Sequence, residues 1–336
     1  YGNGDCKSNK CECRVGYSGD ACDVGPVPLT ALPAAGPQQG GTRVLLKGAR
    51  LGADGASALQ HLVLFEDGKG GSMQLEAQYN AADDVVSFYT ALTPLDGTVA
   101  LRVSINGGLD FSESSVPFTF TFEPSIPGLE PASGPVGGAS LVQVTGTFLR
   151  ATPELSCRFG AAMVPGTYVP PTDPKDLVGG GVRCTTPAAS AGAAAVSVSL
   201  NGQQFFKPLS FSFYDPPVFF SLAPKCGPEN GGGIVSVGGI GLGSGDALAC
   251  RFGETPVSAT MHTDGGVEQL RCASPTLAVD DGSTAQSMLV ALNGQQFESA
   301  GEYHVYSTPL VSAVKPGSGL LSKSTGIVIS GRGLGL

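Results

Sequence analysis

The glycine-rich stretch GGIGLGSGD, from Gly238 to Asp246, has the residue types of a phosphate-binding loop. Such a loop holds an anion with backbone N–H groups and with the N-terminus of the helix that follows it. Here it follows an alternating β-type segment, and no amphipathic helical pattern comes after it. The matching stretches GARLGADG and GTFLRAT elsewhere in the chain are typical turns. We therefore predict no nucleotide or other cofactor at this position.

Three separated histidines and two acidic pairs are the next candidates for chemistry. His61, His262 and His304 share no metal-ligand spacing, and no G-x-S-x-G nucleophile motif occurs, although a triad of distant residues stays open. Asp83-Asp84 and Asp280-Asp281 could each offer oxygens to calcium, but that ion needs six or more, so solvated loop charge is favoured. The sequence predicts no catalytic residue, no metal site and no enzyme activity.

The nine cysteines are unevenly distributed along the chain. Four of them, Cys6, Cys11, Cys13 and Cys22, have the spacing C-x4-C-x-C-x8-C at the start of the sequence. So short a segment cannot bury a core, and disulfides replace the core in small modules of oxidising compartments. A zinc knuckle is the alternative, since C-x-C can bind that metal. The disulfide interpretation predicts an extracellular or cell-surface location.

The opening segment, residues 1–25, resembles the C-terminal part of an EGF-like module. The residues that match C-x-C-x-x-G-[YF]-x-G-x-x-C are Cys11, Cys13, Gly16, Tyr17, Gly19 and Cys22. The resemblance implies a Cys13–Cys22 disulfide. It leaves Cys6 and Cys11 to upstream or intermolecular partners, and it implies that the sequence is cut on its N-terminal side.

Composition narrows the class of protein further. Gly and Pro number 50 and 25, while 41% of the residues are hydrophobic and alternate with polar ones in short runs. This favours an all-β protein with Gly and Pro in its turns rather than a disordered chain. The net charge is −9 without any Lys/Arg cluster, which argues against nucleic acid as a partner. No apolar run reaches the roughly 18 residues of a membrane helix, so no membrane insertion is predicted.

A repeat of about 95 residues organises the rest of the chain, as similar segments at a fixed spacing indicate. The segments TALPAAGPQQGGTRVLLKG, LEPASGPVGGASLVQVTG and SLAPKCGPENGGGIVSVGG share Pro, Gly-Pro, a Gly pair and an alternating run. Their Gly-Pro pairs start at Gly36, Gly134 and Gly227, which are 98 and 93 residues apart. A fourth start, SAVKPGSGLLSKSTGIVISG, places Gly319 another 92 residues on.

The ends of the repeats also match one another. Each contains Asn-Gly between two alternating runs, at Asn106-Gly107, Asn201-Gly202 and Asn293-Gly294. Asn-Gly in this setting is a strong hairpin signal. We predict three equivalent hairpin tips.

A pair of cysteines lies in the middle of two of the repeats. ELSCRFG and ALACRFG contain Cys157 and Cys250, and GVRCTTP and QLRCASP contain Cys184 and Cys272. One disulfide per repeat, Cys157–Cys184 and Cys250–Cys272, is the simplest interpretation, worth about 3 kcal/mol each by loop-closure entropy. In the first repeat Val63 and Phe88 replace the two cysteines, which predicts an apolar contact there.

These motifs resemble the IPT/TIG family of immunoglobulin-like domains found in plexin-type receptors and other surface proteins. The resemblance rests on P-x-x-GP-x-x-GG-T-x-V-x-x-G and on the C-x-[TS]-P strand. It implies tandem antiparallel β-sandwiches of seven strands each. The predicted ranges are 26–124, 125–216 and 217–308 for three repeats and 309–336 for the start of a fourth, truncated one.

Cys226 is left over after these pairings. It lies just before Gly227-Pro228, where the other repeats have Ala35 and Ser133. Three states stay open: a buried free thiol, an intermolecular disulfide and an unforeseen internal pair.

The predicted function is that of a non-catalytic extracellular structural protein. Proline-rich joints between repeats favour a semi-rigid rod. EGF and TIG modules with an Ala- and Gly-rich composition and no N-x-S/T sequon also resemble mastigoneme-type filament proteins, the hairs of green-algal flagella. That resemblance implies a flagellar surface and homotypic contacts, with copies of itself or other filament proteins as partners. The alternative is the stalk of a cell-surface receptor or adhesion protein that binds a separate protein ligand.

Overall fold

The computed structural model describes residues 3–7, 10–14, 16–52, 60–171, 180–279 and 283–334. Almost all regular structure in these ranges is β-strand, which confirms the predicted all-β class. The acidic pair Asp280-Asp281 lies outside the described residues.

The N-terminal segment forms a small antiparallel hairpin of β1 (Gly4–Lys7) and β2 (Lys10–Cys13). Cys6 and Cys11 are cross-strand partners in this hairpin and are joined to each other, with their Cα atoms 3.9 Å apart. This differs from the prediction of upstream or intermolecular partners, because the hairpin brings the two side chains together locally. A second disulfide joins Cys13 to Cys22.

Three groups of eight strands follow in the described residues, one strand more per repeat than the seven predicted, and the strands are paired in the same order in each group. The first group contains β3 (Val27–Leu32), β4 (Ala35–Pro37), β5 (Arg43–Ala49), β6 (His61–Glu66), β7 (Ser72–Asn80), β8 (Val85–Tyr89), β9 (Gly97–Ser104) and β10 (Val116–Thr121). The second contains β11 (Ser125–Glu130), β12 (Ser133–Pro135), β13 (Leu141–Thr147), β14 (Ser156–Phe159), β15 (Ala162–Val169), β16 (Gly181–Thr185), β17 (Gly192–Ser199) and β18 (Leu209–Tyr214).

The third group adds a short helical turn to the same series. It contains β19 (Val218–Ala223), β20 (Cys226–Pro228), β21 (Ile234–Ile240), the 3-10 turn Leu242–Ser244, β22 (Ala249–Phe252), β23 (Thr255–Asp264), β24 (Val267–Ala273), β25 (Ser283–Ala291) and β26 (Phe297–Tyr306). A last antiparallel pair is formed by β27 (Leu310–Lys315) and β28 (Val328–Arg332).

One long strand in each group joins the two layers of a sandwich. In the first group the strand order is β3-β5-β8-β7-β6-β9-β10-β4. The first part of β7 pairs with β6, and its last residues, 78–80, pair with β8. β15 and β23 are shared between neighbours in the same way. The two layers therefore follow from one strand that passes from one sheet to the other.

The chain divides into two compact units, each with its own buried side chains. One consists of Tyr1–Leu129, Gln143–Thr185 and Ala195–Leu209, and the other of Glu130–Val142, Thr186–Ala194 and Ser210–Leu336. In the first unit Phe65, Phe118 and Phe120 pack edge to face at the centre of an aliphatic core. In the second unit Phe252 packs on Tyr303 in the same manner. Alternating apolar residues of facing strands thus supply both cores.

A tight turn with two residues of positive φ precedes the first core strand of each repeat. In the second repeat these residues are Gly138 and Ala139, with φ of 77° and 63°. Gly40 and Gly41 have φ of 82° and 80°, and Gly231 and Gly232 have 68° and 83°. A Cβ on Gly40 would lie 2.6 Å from the backbone of Ala91, so a side chain there is excluded both by conformation and by space.

Candidate functional site

Each Asn-Gly loop is closed by its asparagine side chain rather than by the turn that the sequence favours. Asn201 Oδ1 accepts hydrogen bonds from the backbone N–H of Gln203 and of Gln204, both at 3.1 Å. Gly202 has a φ of 72°, but Asn201 does not adopt the positive φ of a two-residue Asn-Gly turn. The loop is longer than that turn, and the asparagine acts as an Asx-type cap.

The Asn293 loop has the same internal bonding. Asn293 Oδ1 accepts from the N–H of Gln295 and of Gln296 at 3.2 Å, and Gly294 has a φ of 70°. Asn201 and Asn293 are 4% and 2% exposed. The two loops therefore present a tandem pair of glutamines on a fixed backbone.

Gln203 uses this position to bond to the start of β5. Its Oε1 accepts from the N–H of Arg43 at 3.0 Å, and its Nε2 donates to the carbonyl of Arg43 at 2.8 Å. The register of β3 with β5 ends at Leu32↔Leu45, so Arg43 has no strand partner on that side. The side-chain amide takes the place of the missing strand, because it carries the same donor and acceptor as a peptide group.

Gln204 and Asn201 surround the hydroxyl of Thr42. Thr42 Oγ1 donates to Gln204 Oε1 at 3.0 Å and accepts from Asn201 Nδ2 at 3.1 Å. Gln204 Nε2 donates to the carbonyl of Gly41 at 3.0 Å. Thr42 is fully buried, so this network replaces water around a hydroxyl that could not otherwise be satisfied.

The same network recurs between the Asn293 loop and the start of β13. Gln295 pairs with both backbone groups of Leu141, at 2.7 Å and 2.8 Å. Gln296 and Asn293 bond to the hydroxyl of Ser140 at 3.0 Å and 2.9 Å. We call this arrangement the loop-to-edge contact. In it, an Asn-Gly-Gln-Gln loop forms hydrogen bonds with the backbone that leads into the first core strand of the preceding repeat, β5 or β13.

A carboxylate beside each loop makes a second contact with the preceding repeat. Glu154 Oε1 accepts from the N–H of Ala34 at 3.4 Å. Asp246 accepts from the N–H of Ala132 and from the Ser133 hydroxyl, the latter at 2.5 Å. Ala34 and Ala132 are equivalent, since each follows the proline that begins its repeat motif. The loop and its carboxylate together thus contact the segment of the preceding repeat that extends from that proline to the first core strand.

Burial changes the acidity of groups at these contacts. Desolvation raises the pKa of Glu154 above its ordinary value, and its Oε2 is buried without a hydrogen-bond partner among the described residues. Burial also raises the pKa of Tyr214, reinforced by the nearby charges of Asp246 and Glu298. Both shifts favour the neutral form of the side chain over its negatively charged form.

An arginine stacks beside each loop. The guanidinium of Arg158 lies 4.1 Å from the ring centre of Phe205, and that of Arg251 lies 4.5 Å from the ring centre of Phe297. Each arginine follows the first cysteine of its repeat, and each phenylalanine follows the second glutamine. The cation–π contact therefore ties the loop to a core strand of its own repeat.

The Asn106 loop contacts the N-terminal segment with different side chains. Asn106 Nδ2 donates to Asp110 Oδ2 at 3.1 Å. In the other two loops, the Nδ2 of Asn201 and of Asn293 donates to a glutamine instead. Asp110 also forms an ion pair with Arg14 at 2.9 Å. The hydroxyl of Tyr17 donates to the carbonyl of Phe111 at 3.3 Å. All three predicted Asn-Gly tips therefore contact the part of the chain that precedes their own repeat.

The mid-repeat cysteines lie on facing strands and are joined. The structure links Cys157 to Cys184 and Cys250 to Cys272, with Cα separations of 6.2 Å and 6.3 Å. Val63 and Phe88 occupy the equivalent strand positions and belong to one buried cluster. Cys226 is a free, half-buried thiol in the described chain.

The other residues considered for chemistry are spread apart. His61 Nε2 bonds to the carbonyl of Leu51 at 2.9 Å, and its ring stacks on Tyr79. Asp83 and Asp84 are exposed and accept hydrogen bonds from Asn80 and Tyr79, the last two residues of β7. The described residues contain no cluster of three or more His, Cys, Asp or Glu side chains arranged to hold a metal. They also contain no helix long and apolar enough to cross a membrane.

The sequence predicts Asn201 and Asn293 as hairpin tips but gives no role to the glutamines of the loop-to-edge contact. The recurrence of Asn-Gly-Gln-Gln at residues 201–204 and 293–296 was the available signal. No sequence signal marks Glu154 and Asp246. They lie three and four residues before the first cysteine of their repeats, so they do not align with each other. Asp246, the last residue of the glycine-rich stretch, is a contact residue.

The fold defines an all-β protein of tandem immunoglobulin-like sandwiches. Residues 124–213 match the model of the IPT/TIG domain. Over 223 residues the chain is 25% identical to Plexin-A2 of Mus musculus, and over 221 residues it is 25% identical to Plexin-A2 of Homo sapiens. Each alignment covers 63% of this chain and 11% of the relative. The chain thus spans about a tenth of the length of these relatives.

A solved structure of the full extracellular region of Plexin A4 is also similar. It shares 17% sequence identity over 88% of this chain and 26% of that chain, with a TM-score of 0.46.

Proposed function

We propose that this chain is an extracellular, non-catalytic spacer whose immunoglobulin-like repeats are held together by loop-to-edge contacts. The observation that carries the proposal is the repetition of one contact: Gln203 on Arg43 and Gln295 on Leu141, each through two backbone hydrogen bonds. A contact made to backbone groups and repeated with the same donor set suits a fixed joint.

The location and the coarse role have independent support. The IPT/TIG match and the similarity to plexins support the ectodomain of a surface protein, and the proposal assigns these repeats to its stalk. The disulfides favour an oxidising compartment. As a stalk, the chain would hold a separate ligand-binding part of the protein at a set distance from the cell surface.

Single-molecule energy transfer tests the spacer role. Dyes attached through unnatural amino acids at the exposed Ser72 and Ala162 report on the joint between the first two repeats. We expect one narrow distance distribution for the native chain and a broad one for the Gln203→Ala, Gln204→Ala variant. The exposed Gln78→Ala is the matched control and should leave the distribution narrow. Equal widths for the native chain and the double variant would contradict the proposal.

Assembly into a filament is a second candidate, favoured by the free, half-buried thiol of Cys226 and by a chain with only 14% charged residues. In this role copies of the chain would pack side by side, with a flagellar or other cell surface as the location. Sedimentation velocity over a range of concentrations tests it, with and without reductant. Reductant-sensitive oligomers that disappear in Cys226→Ser would support covalent assembly, whereas a monomer at all concentrations would contradict the filament role.

A further inference from the structure

The third repeat contains an edge equivalent to those already occupied in the first two. The carbonyl of Lys225 accepts from the N–H of His304 at 2.8 Å. The carbonyls of Ala34 and Ala132 accept in the same way, from Thr119 and Ser212, both at 2.9 Å. Lys225 therefore occupies the position whose N–H is bound by a carboxylate in the first two repeats.

The backbone that leads into β21 is also preformed. The N–H of Gly231 donates to the carbonyl of Pro228, and that of Gly232 donates to the carbonyl of Ser274. Gly40 and Gly41 make the same two bonds with their own equivalents. Ile234 is the equivalent of Arg43. The pairing of β19 with β21 ends at Ala223↔Ser236, so Ile234 has no strand partner on the side where Gln203 bonds to Arg43.

This third edge is open where the first two are covered. Ala35 and Ser133 are 1% and 3% exposed, whereas Cys226 at the same position is half-buried. Thr42 and Ser140 are fully buried, whereas Gly233 is partly exposed. Among the described residues, no side chain bonds to the N–H of Lys225 or to the backbone of Ile234.

We propose that the edge formed by Lys225, Cys226 and Gly232–Ile234 is a docking surface for an Asn-Gly-Gln-Gln loop and an adjacent carboxylate. The partner is an immunoglobulin-like repeat other than the three described ones, because their own Asn-Gly loops are already engaged. The Lys225 side chain favours the incoming carboxylate. Gly233 lacks the hydroxyl of Thr42 and Ser140, which predicts a weaker network than at the first two edges.

Disulfide capture on Cys226 tests this surface in the full chain. The probe is a cyclic peptide of residues 199–205, SLNGQQF, that carries a flexible linker ending in a mixed disulfide with cysteamine. The thiolate of Cys226 attacks the linker sulfur, a Cys226–peptide disulfide forms and cysteamine leaves as the thiol. A peptide in which both glutamines are alanine is the matched control, and intact-mass measurement gives the captured fraction.

We expect about five-fold more capture of the Gln-Gln peptide than of the Ala-Ala peptide, because one net hydrogen bond changes a binding constant by about that factor. The Gly233→Ser variant should increase the ratio, because serine restores the hydroxyl. Serine fits there, since a Cβ on Gly233 would meet nothing closer than Ser274 Oγ at 3.6 Å.

Equal capture of the two peptides on the native chain would overturn the inference, even if Gly233→Ser discriminates between them. The inference rests on the loop-to-edge contact of the spacer proposal. The two can fail separately: narrow energy-transfer distributions that broaden in the Gln203/Gln204 variant would keep the spacer when peptide capture fails.

Discussion

Gln203 and Arg43 are 160 residues apart in the sequence, yet the side-chain amide of the first pairs with both backbone groups of the second at 3.0 Å and 2.8 Å. Gln203→Ala removes the acceptor for the Arg43 N–H. We expect the hydrogen exchange of that amide to accelerate about ten-fold, since it becomes an unpaired edge group. Gln78→Ala is the surface control, and unchanged exchange at Arg43 in Gln203→Ala would contradict the assigned bond.

Thr42→Val keeps the side-chain shape but removes the hydroxyl between Asn201 and Gln204. We expect the free energy of unfolding to fall by about 1–3 kcal/mol, because buried amide groups lose a partner. Urea denaturation measures the loss. In the control, Thr98→Val, the removed hydroxyl is exposed and bonds to the hydroxyl of Thr119, so a change within about 0.5 kcal/mol is expected. Losses of equal size at both sites would argue against a special role for Thr42.

Glu154 gives a pH dependence with a defined sign. Burial raises its pKa above the ordinary 4.5, so the folded chain keeps a proton that the unfolded chain releases. Its contribution to stability is fully present below about pH 4.5 and is lost as the pH rises through the folded pKa. Glu154→Gln should remove this dependence, and its stability relative to the native chain should increase from about pH 4 to pH 7.

Denaturation at several pH values checks the Glu154 prediction. The exposed Glu254→Gln corrects for the loss of one surface charge. If the stability of Glu154→Gln relative to the native chain fell between pH 4 and pH 7, the folded chain would favour the ionised form of Glu154, which would contradict the prediction.

The ion pair of Arg14 and Asp110 connects the N-terminal segment to the first repeat. Their side chains are 46% and 12% exposed, so we expect a modest contribution of about 0.2–1 kcal/mol that salt weakens. Arg14→Ala should speed proteolysis of residues 1–25 by a few-fold at low salt, and less at high salt. Lys10→Ala is the control for a lost surface charge, and salt-independent rates would contradict the ion-pair assignment.

The disulfide Cys157–Cys184 closes a loop of 27 residues. By loop-closure entropy, replacing both cysteines with alanine should cost about 3–4 kcal/mol of unfolding free energy. Cys226→Ser removes no link and should cost far less. Non-reducing peptide mapping provides the direct check: four internal links and a free Cys226 are expected, and a Cys6 or Cys11 peptide linked elsewhere would contradict the hairpin pairing.

The repeat and the all-β class could be predicted because they depend on local signals. Gly40 marks a turn position where a side chain would meet the backbone of Ala91, and alternating residues such as those of β5 mark a half-buried strand. The passage of β7 from one sheet to the other could not be predicted, since its nine residues alternate without interruption.

The contact residues are harder to recognise from sequence. Gln203 and Gln204 have the composition of an ordinary polar loop, and Thr42 has that of a strand start. Their role depends on which backbone they meet, and the meeting involves groups about 160 residues apart. Asn106, Asn201 and Asn293 were found, but for a turn geometry that they do not adopt.

Every loop-to-edge contact points the same way, from a repeat toward the N-terminus. The edge of the first repeat and the edge of the second are matched by loops with the same four residues, Asn-Gly-Gln-Gln. Removing residues 125–216 would therefore bring Asn293–Gln296 to an edge, at Gly41–Arg43, whose backbone groups and Thr42 hydroxyl match those of Ala139–Leu141. Ala35 would offer no hydroxyl to Asp246 there. A gene for such an array can gain or lose a repeat by unequal recombination and still encode compatible neighbours, so its length can evolve faster than its joints.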